Sequence, residues 1–387
     1  MYCQQEIIKT IMKETIYQFL IIFFSIFPIK KKKIFFLSYY GSQYGCNPKY
    51  LSEYMAKKCK DWTIVWGFVD PSIHQVPGIK KVKYLSLRYF YELCTSRVFV
   101  TNYRMTEHYR KRKGQLYVQT WHSSLRLKKI EGDIEYNLPA HYVEMAKRDS
   151  CQTDALLSGC RFSTEIFRRA FWYSGPIIPT GTPRVDLLYS SDTTRRRSVL
   201  RKLGLTSDER IVMYAPTFRK DNSLECYNID YRRLVASLAD RFGGKWQVLL
   251  RLHPHLQNYS KQLVDKDCFI YDVTGYDDIQ ELLFVSDCVI SDYSSLIFDY
   301  SLTERPCFLY ASDLKEYTSK DRALYFNILE LPFPLSTNND ELNRLIQVYD
   351  ESIYKQKLQS FHQIIGSYET GHACQKVVDY IIEKTKQ

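Results

Sequence analysis

His122 stands in the stretch QTWHSSLRLKK, Gln119 to Lys129, beside a tryptophan and ahead of Ser123, Ser124, Leu125, Arg126, Lys128 and Lys129. Histidine titrates near neutrality and can take the proton of an attacking hydroxyl, while hydroxyls and cations close by can hold an anion as it reacts. The same residues also describe the polar end of a buried strand, with His122 packed against Trp121. Four further segments carry comparable chemistry. RLHPH places Arg251 and His253 on one side of an extended run, since strand side chains alternate. Arginine can grip a diphosphate through two parallel hydrogen bonds. A metal pair of His253 and His255 lacks an Asp, Glu or Cys partner at a familiar spacing. YAPTFRK offers Thr217, Arg219 and Lys220 after the turn residue Pro216, and GTPRVD offers Arg184. In SDYSS, Ser294 and Ser295 open a helix, where hydroxyls and backbone N–H groups can bind phosphate oxygens or serve as an ordinary cap. Asp299 lies one helical turn beyond Ser295, on the same face, able to accept from a ligand hydroxyl.

The elements that must position these residues alternate. KIFFLSYYG, DWTIVWGFVD, RVFVTN and QLYVQTW read as strands, and NPKYLSEYMAKKC reads as a helix opening on an asparagine cap and a proline. DALLSGCRFSTEIFRRAFWY adds a strand and a helix capped by Ser163 or Thr164. A glycine- and proline-rich stretch, SGPIIPTGTPRVDLL, then separates a second series: RIVMYAPTFR, WQVLLRLHPH, CFIYDVTGY, DCVISD and PCFLYA as strands between helices. Strands that are nearly continuous apolar runs, alternating with helices, predict parallel sheets covered on both faces. The expectation is α/β, with two Rossmann-like domains at residues 34–180 and 181–370, and a closing helix at 371–387. In such sheets ligands bind beyond the carboxyl ends of the strands, which is where His122, Thr217, Arg251 and Ser294 fall.

Composition sets outer bounds. The chain has 387 residues, 45% of them hydrophobic, which excludes a disordered or collagenous protein. Eleven cysteines without a C-x-x-C pair argue against a disulfide framework or a structural zinc site and suit a reducing cytosol. The net charge of +11 suits nucleic acid, an anionic membrane or a phosphorylated substrate. Residues 1–33 combine an amphipathic pattern from Ile7 with the apolar run Ile16 to Ile29 and a cluster from Lys30 to Lys33. That run is short of the roughly 20 residues a spanning helix needs. A membrane-associating helix with its lysines among anionic head groups is the expectation, and a buried first helix the alternative.

Taken together, the segments KKIFFLSYYG with NPKYLSEYM, QTWHSSLRLKKI, GTPRVD, YAPTFR, RLHP, SDYSSLIFDY with RPCFLYASDLKEY, and YETGHACQKVVDYI resemble the CDP-glycerol glycerophosphotransferases of teichoic acid synthesis. They cover almost the whole chain, in the family's order. The resemblance implies a GT-B fold, its two Rossmann-like domains facing a central cleft, in a monotopic protein on the inner face of the bacterial membrane. It implies transfer of a polyol phosphate from a CDP-polyol donor to a hydroxyl of a polyprenyl-diphosphate-linked glycan, without a cofactor or metal. It carries His122 and His253 as catalytic residues, and Ser123, Ser124, Leu125, Arg126, Arg184, Pro216, Thr217, Arg251, Ser294, Ser295 and Asp299 as substrate-binding residues, to which the YAPTFRK segment adds Arg219. Ser123 stands where the family commonly has glycine, and Glu369, Thr370 and Gly371 replace a usual acidic residue and glycine pair. The chain's length groups it with the compact priming enzymes. Two rivals stand beside this reading. A GT-B glycosyltransferase would release a nucleoside diphosphate instead of CMP. A nucleic-acid-binding protein, suggested by YRKRKG, would show steeply salt-dependent binding.

Overall fold

The computed structural model describes residues 2–106, 109–219, 224, 227–253, 256–266, 268–320 and 323–386, with the side chains of 2–11, 257–258, 265–266 and 318–320 left out. Lys220 and His255 lie outside the described residues. The chain forms two compact units: Met1–His122, Ile130–Asp186 and Tyr368–Gln387 make the first, and Ser123–Lys129 and Leu187–Ser367 the second.

In the first unit the strands are β1 (Lys30–Leu37), β2 (Thr63–Phe68), β3 (Lys80–Lys83), β4 (Ser96–Thr101), β5 (Leu116–Gln119), β6 (Ala155–Leu157) and β7 (Ile177–Ile178). They pair in parallel in the order β3-β2-β1-β4-β5-β6-β7. The apolar runs are central because parallel strands are covered on both faces: Ile34, Phe35, Phe36 and Leu37 are wholly buried. Helices α1 (Tyr2–Phe24), α2 (Cys46–Lys58), α3 (Leu87–Cys94), α4 (Ala140–Gln152) and α5 (Arg161–Ala170) belong to this unit. α5 is capped by the Cys160 thiol, which accepts from the Ser163 N–H, so neither Ser163 nor Thr164 is the cap. α2 is likewise not capped by Asn47. Its cap is Gly45, in extended backbone, and Asn47 sits inside the first turn with its side chain turned to other loops.

The lysine cluster is built into the first sheet, its first three residues exposed and its last buried. Lys30 to Lys33 form the start of β1, and Lys33 is buried against Glu92. Glu92 also receives Lys80 at 2.6 Å and Arg88 at 2.7 Å. Burial opposes its ionisation, but the hydrogen bonds from Lys33 and Lys80 win and hold its carboxyl below the usual range. α1 lays Tyr17, Leu20, Ile21 and Phe24 on the core around Phe90, while Met12, Ile16, Phe19, Phe23 and, just past the helix, Ile26 stay exposed. Among the described residues no helix is long and apolar enough to cross a membrane. In the basic loop YRKRKG, Lys111 pairs with Asp154, and the Arg112 guanidinium donates to the carbonyls of Ser25, Phe27 and Cys94, closing the end of α1.

The second unit repeats the plan with β8 (Arg210–Tyr214), β9 (Trp246–Leu250), β10 (Ile270–Asp272), β11 (Cys288–Ser291), β12 (Cys307–Tyr310) and β13 (Leu335–Ser336), all parallel in the order β10-β9-β8-β11-β12-β13. Its helices are α6 (Thr193–Lys202), α7 (Tyr231–Phe242), α8 (Gln257–Lys266), α9 (Ile279–Val285), α10 (Leu296–Ser301), α11 (Leu314–Lys320), α12 (Asn339–Gln347) and α13 (Glu351–Ile365). α7 stops at Gly243, whose φ of 72° is open to glycine at no steric cost. The last helix, α14 (Ala373–Thr385), returns to the first unit. Two carboxylates tie it there: Asp186 accepts the N–H groups of Ala373 and Cys374 at 2.9 and 2.7 Å, and Glu369 holds Thr182 through its N–H and hydroxyl. The GTPRVD loop therefore goes with the first sheet, not with the second as read from the sequence.

Candidate active site

In each sheet the strand order reverses beside its first strand, between β1 and β4 and between β8 and β11. Ligands of doubly wound sheets bind at such switch points, beyond the carboxyl ends. The polar segments collect at these ends.

In the first unit they follow β1, β4 and β5. Non-glycine residues with positive φ gather here: Tyr39 at 43°, Tyr40 at 56°, Cys46 at 59° and Trp121 at 51°. Each is a strained conformation that surrounding structure must hold, a pattern typical of functional loops. His122 is half-buried, stacked on Trp121 with ring centroids 4.5 Å apart and 5.9 Å from the ring of Tyr39. Its Nδ1 lies 3.0 Å from the carbonyl oxygen of Asn102. A carbonyl only accepts, so Nδ1 carries the hydrogen and the neutral ring keeps its lone pair on Nε2. Asn102 is itself fixed, its Oδ1 accepting the Tyr39 N–H at 3.1 Å. Arg184 is buried, its backbone N–H on Asn47 Oδ1 and its guanidinium 3.5 Å from the Cys46 sulfur. Burial pushes the Asp186 carboxyl up, against the pull of the two N–H groups it caps.

In the second unit the segment Ser123–Lys129 is bound to the start of α10 and to Ala323 and Tyr325. The Ser124 hydroxyl donates to Asp299 at 2.9 Å, the Leu127 N–H to Ser295 Oγ at 3.1 Å, and the N–H groups of Lys129 and Tyr325 reach the carbonyls of Ala323 and Leu127. Ser123 Oγ receives the half-buried Arg126 guanidinium at 3.1 Å. Asp299 has no exposed surface and accepts from both Ser124 and the Gln280 amide. Leu125 is a core residue, 1% exposed. Ser295, the first residue before α10, makes no cap with its side chain because that oxygen is taken by Leu127. Ser294, half-exposed, accepts the Leu296 N–H at 3.5 Å.

Across this unit's switch point, Thr217 donates its N–H to Asp292 at 2.8 Å, fixing the turn after Pro216. Arg219 is no free cation. Its buried guanidinium pairs with Asp292 at 2.8 Å and Asp313 at 2.5 Å, with the stacked rings of Tyr293 and Tyr317 each 5.0 Å away. Burial works against the charged guanidinium, but the two carboxylates outweigh it and raise its pKa further. Arg251 donates to the carbonyls of Val273 and Tyr276, and exposed His253 lies against the Phe218 ring at 4.5 Å. His122 in one unit and Arg126, Thr217, Arg251, His253 and Ser294 in the other thus keep exposed surface at these ends, whereas Arg184 is buried. The sequence alone does not single out Asp292 as a site residue, and it offers Asn47 only as a helix cap. The aspartate stood between the strand and the serines of SDYSS, and only its position hinted at a bracing role.

Two parallel Rossmann-like sheets, with the C-terminal helix returning to the first, make this a GT-B fold. The chain belongs to the CDP-glycerol:poly(glycerophosphate) glycerophosphotransferase family, whose model matches residues 19–383. It is 34% identical over 375 residues to a teichoic acid poly(glycerol phosphate) polymerase of Staphylococcus epidermidis, covering 93% of this chain but only 52% of that one. The chain thus spans about half the length of that relative. With a teichoic acid glycerol-phosphate transferase of Staphylococcus aureus it shares 31% identity, covering 91% of this chain and 93% of the relative. The structure of an H444N variant of the wall teichoic acid polymerase TagF, soaked with CDPG, superimposes with a TM-score of 0.82 at 33% identity, covering 92% of this chain and 90% of that one.

Proposed function

We propose that this chain transfers glycerol phosphate from CDP-glycerol to a hydroxyl of a lipid-linked glycan or polymer, releasing CMP, in teichoic acid synthesis at the inner face of the membrane. The observation that carries the reading is the His122 ring, whose Nδ1–H is fixed on the Asn102 carbonyl so that the basic lone pair belongs to Nε2. Family membership supplies the donor class. In the reaction the acceptor oxygen attacks the phosphorus bearing glycerol, its proton passes to His122 Nε2, and the bond from that phosphorus to the oxygen of CMP breaks. Arg184, Arg251, His253, Thr217 and Ser294 meet the charge that builds on the diphosphate. Arg126 steadies the donor beside Ser123.

The exposed stripe on α1 supports peripheral membrane docking. Exposed apolar side chains at helical spacing, together with exposed Lys30 and Lys31, suit an interfacial helix over an anionic surface.

The test incubates the purified protein with CDP-glycerol or CDP-ribitol and a soluble lipid-linked acceptor, reading product mass and the nucleotide released. A mass gain of glycerol phosphate with CMP is expected, and the number of units added separates a transferase from a polymerase. Folded His122→Ala should lose roughly 100-fold or more in turnover. Release of a nucleoside diphosphate, or wild-type turnover in His122→Ala, would sink the proposal.

A further inference from the structure

Asn47 has no exposed surface, and its short side chain reaches two loops far away in sequence. Its Nδ2 donates to the carbonyl oxygens of Thr120 at 3.2 Å and Trp121 at 2.9 Å. Its Oδ1 accepts the backbone N–H of Arg184 at 3.0 Å. Both ends of the amide are thus in use, as a buried polar group requires. The carbonyl of Trp121 belongs to the same peptide plane as the nitrogen of His122, so fixing that oxygen fixes the backbone from which the imidazole projects. Trp121 also has a φ of 51°, a conformation that needs outside support. The neighbouring Cys46, turned to a φ of 59°, directs its sulfur to the Arg184 guanidinium and the Tyr39 hydroxyl. One turn at the start of α2 therefore touches both the loop that carries His122 and the loop that carries Arg184.

We infer that Asn47 is a positioning residue that sets the backbone of His122 and the backbone of Arg184 in fixed relation to each other for the transfer. The inference rests on the reading of His122 as the base. It assigns the two ends of one amide to two functions: the donor end to the base, the acceptor end to the phosphate-binding arginine.

That division gives a test that simple stabilisation would not satisfy. In Asn47→Asp the oxygen replacing Nδ2 faces two carbonyl oxygens and repels them, while the other oxygen still accepts from Arg184. Turnover should fall, on the order of 100-fold for a displacement near 1 Å, with KM for CDP-glycerol within about twofold of wild type. Asn47→Ala loses both ends, so turnover should fall and the donor KM should rise as well. Because Asn47→Asp acts through His122, the double variant with His122→Ala should be no slower than His122→Ala alone. Equal proportional effects of the two Asn47 variants on turnover and KM, additive losses in the double variant, or wild-type kinetics would overturn the inference. If Asn47→Asp does not melt cooperatively, the cycle of Asn47→Ala with His122→Ala decides in its place, coupling supporting and additivity refuting. The ring nitrogen resonances of His122 supply a reading independent of turnover. They should move in Asn47→Ala as the Nδ1–H bond to Asn102 loosens, and unchanged resonances would refute the role of Asn47. Wild-type turnover in His122→Ala, by contrast, would refute the assigned base.

Discussion

His362 lies half-buried on α13 with Nε2 2.9 Å from the Ser301 hydroxyl. Ser301 gives its own hydrogen to the Phe298 carbonyl at 2.7 Å, so the ring is the donor and Nε2 carries the hydrogen. Burial lowers the His362 pKa below 6.5, with Glu304 pulling weakly the other way. The folded ring stays neutral while the unfolded one protonates, so its contribution is complete above about pH 6.5 and drains away as the pH falls toward the folded pKa. His362→Gln keeps an N–H donor that does not titrate. Its melting midpoint should fall less than that of the wild type between about pH 7.5 and 5, and parallel curves would exclude the linkage. At this scale residue type was informative in the sequence and partnership was not. His122 and Arg184 were legible as chemistry. Arg219 and Asp299 looked equally available, yet Arg219 meets a carboxylate 94 residues away and Asp299 a serine 175 residues away. Spacing along a chain does not reveal a charge or hydrogen bond satisfied across a fold.

The elements were more readable. β1, β4, β8 and β9 are runs of apolar residues long enough to name a buried parallel strand, and turn glycines marked where α7 ends. β3, with the sequence KKVK, passed unread because an edge strand buries only one residue well. Asn47 was misread because an asparagine before a proline usually caps a helix, and the competing partners were in distant loops. α1 was half legible: its apolar character was clear, but one face packs on Phe90 and Tyr91, and only the other is exposed. Replacing Phe19 and Phe23 by aspartate should therefore leave the melting midpoint near the wild-type value while cutting the partition constant onto anionic vesicles, read by sedimentation, roughly 30-fold, given about 1 kcal/mol for each half-buried ring. Undiminished sedimentation would show that this face does not meet lipid.

For the whole molecule, the architecture followed from alternation, but the path of the chain did not. The second unit is inserted into the first, because Asp186 and Glu369 tie the last twenty residues back to the GTPRVD loop. Ending the chain after Ser367 removes α14, whose Val377, Val378 and Ile381 are buried. Calorimetry should then show the first unit melting early while the transition of the second is preserved. A uniform loss of both, or of neither, would contradict the assignment.

The insertion also orders events during synthesis. All seven strands of the first sheet have been made by Ile178, but the helix that covers part of it begins roughly 195 residues later, about 10 to 40 seconds at ordinary rates of translation. Residues 187–367 emerge as one continuous block and can fold on leaving the ribosome, once they capture Ser123–Lys129. The domain started first is therefore finished last, and its bare apolar flank is what a nascent-chain chaperone would meet.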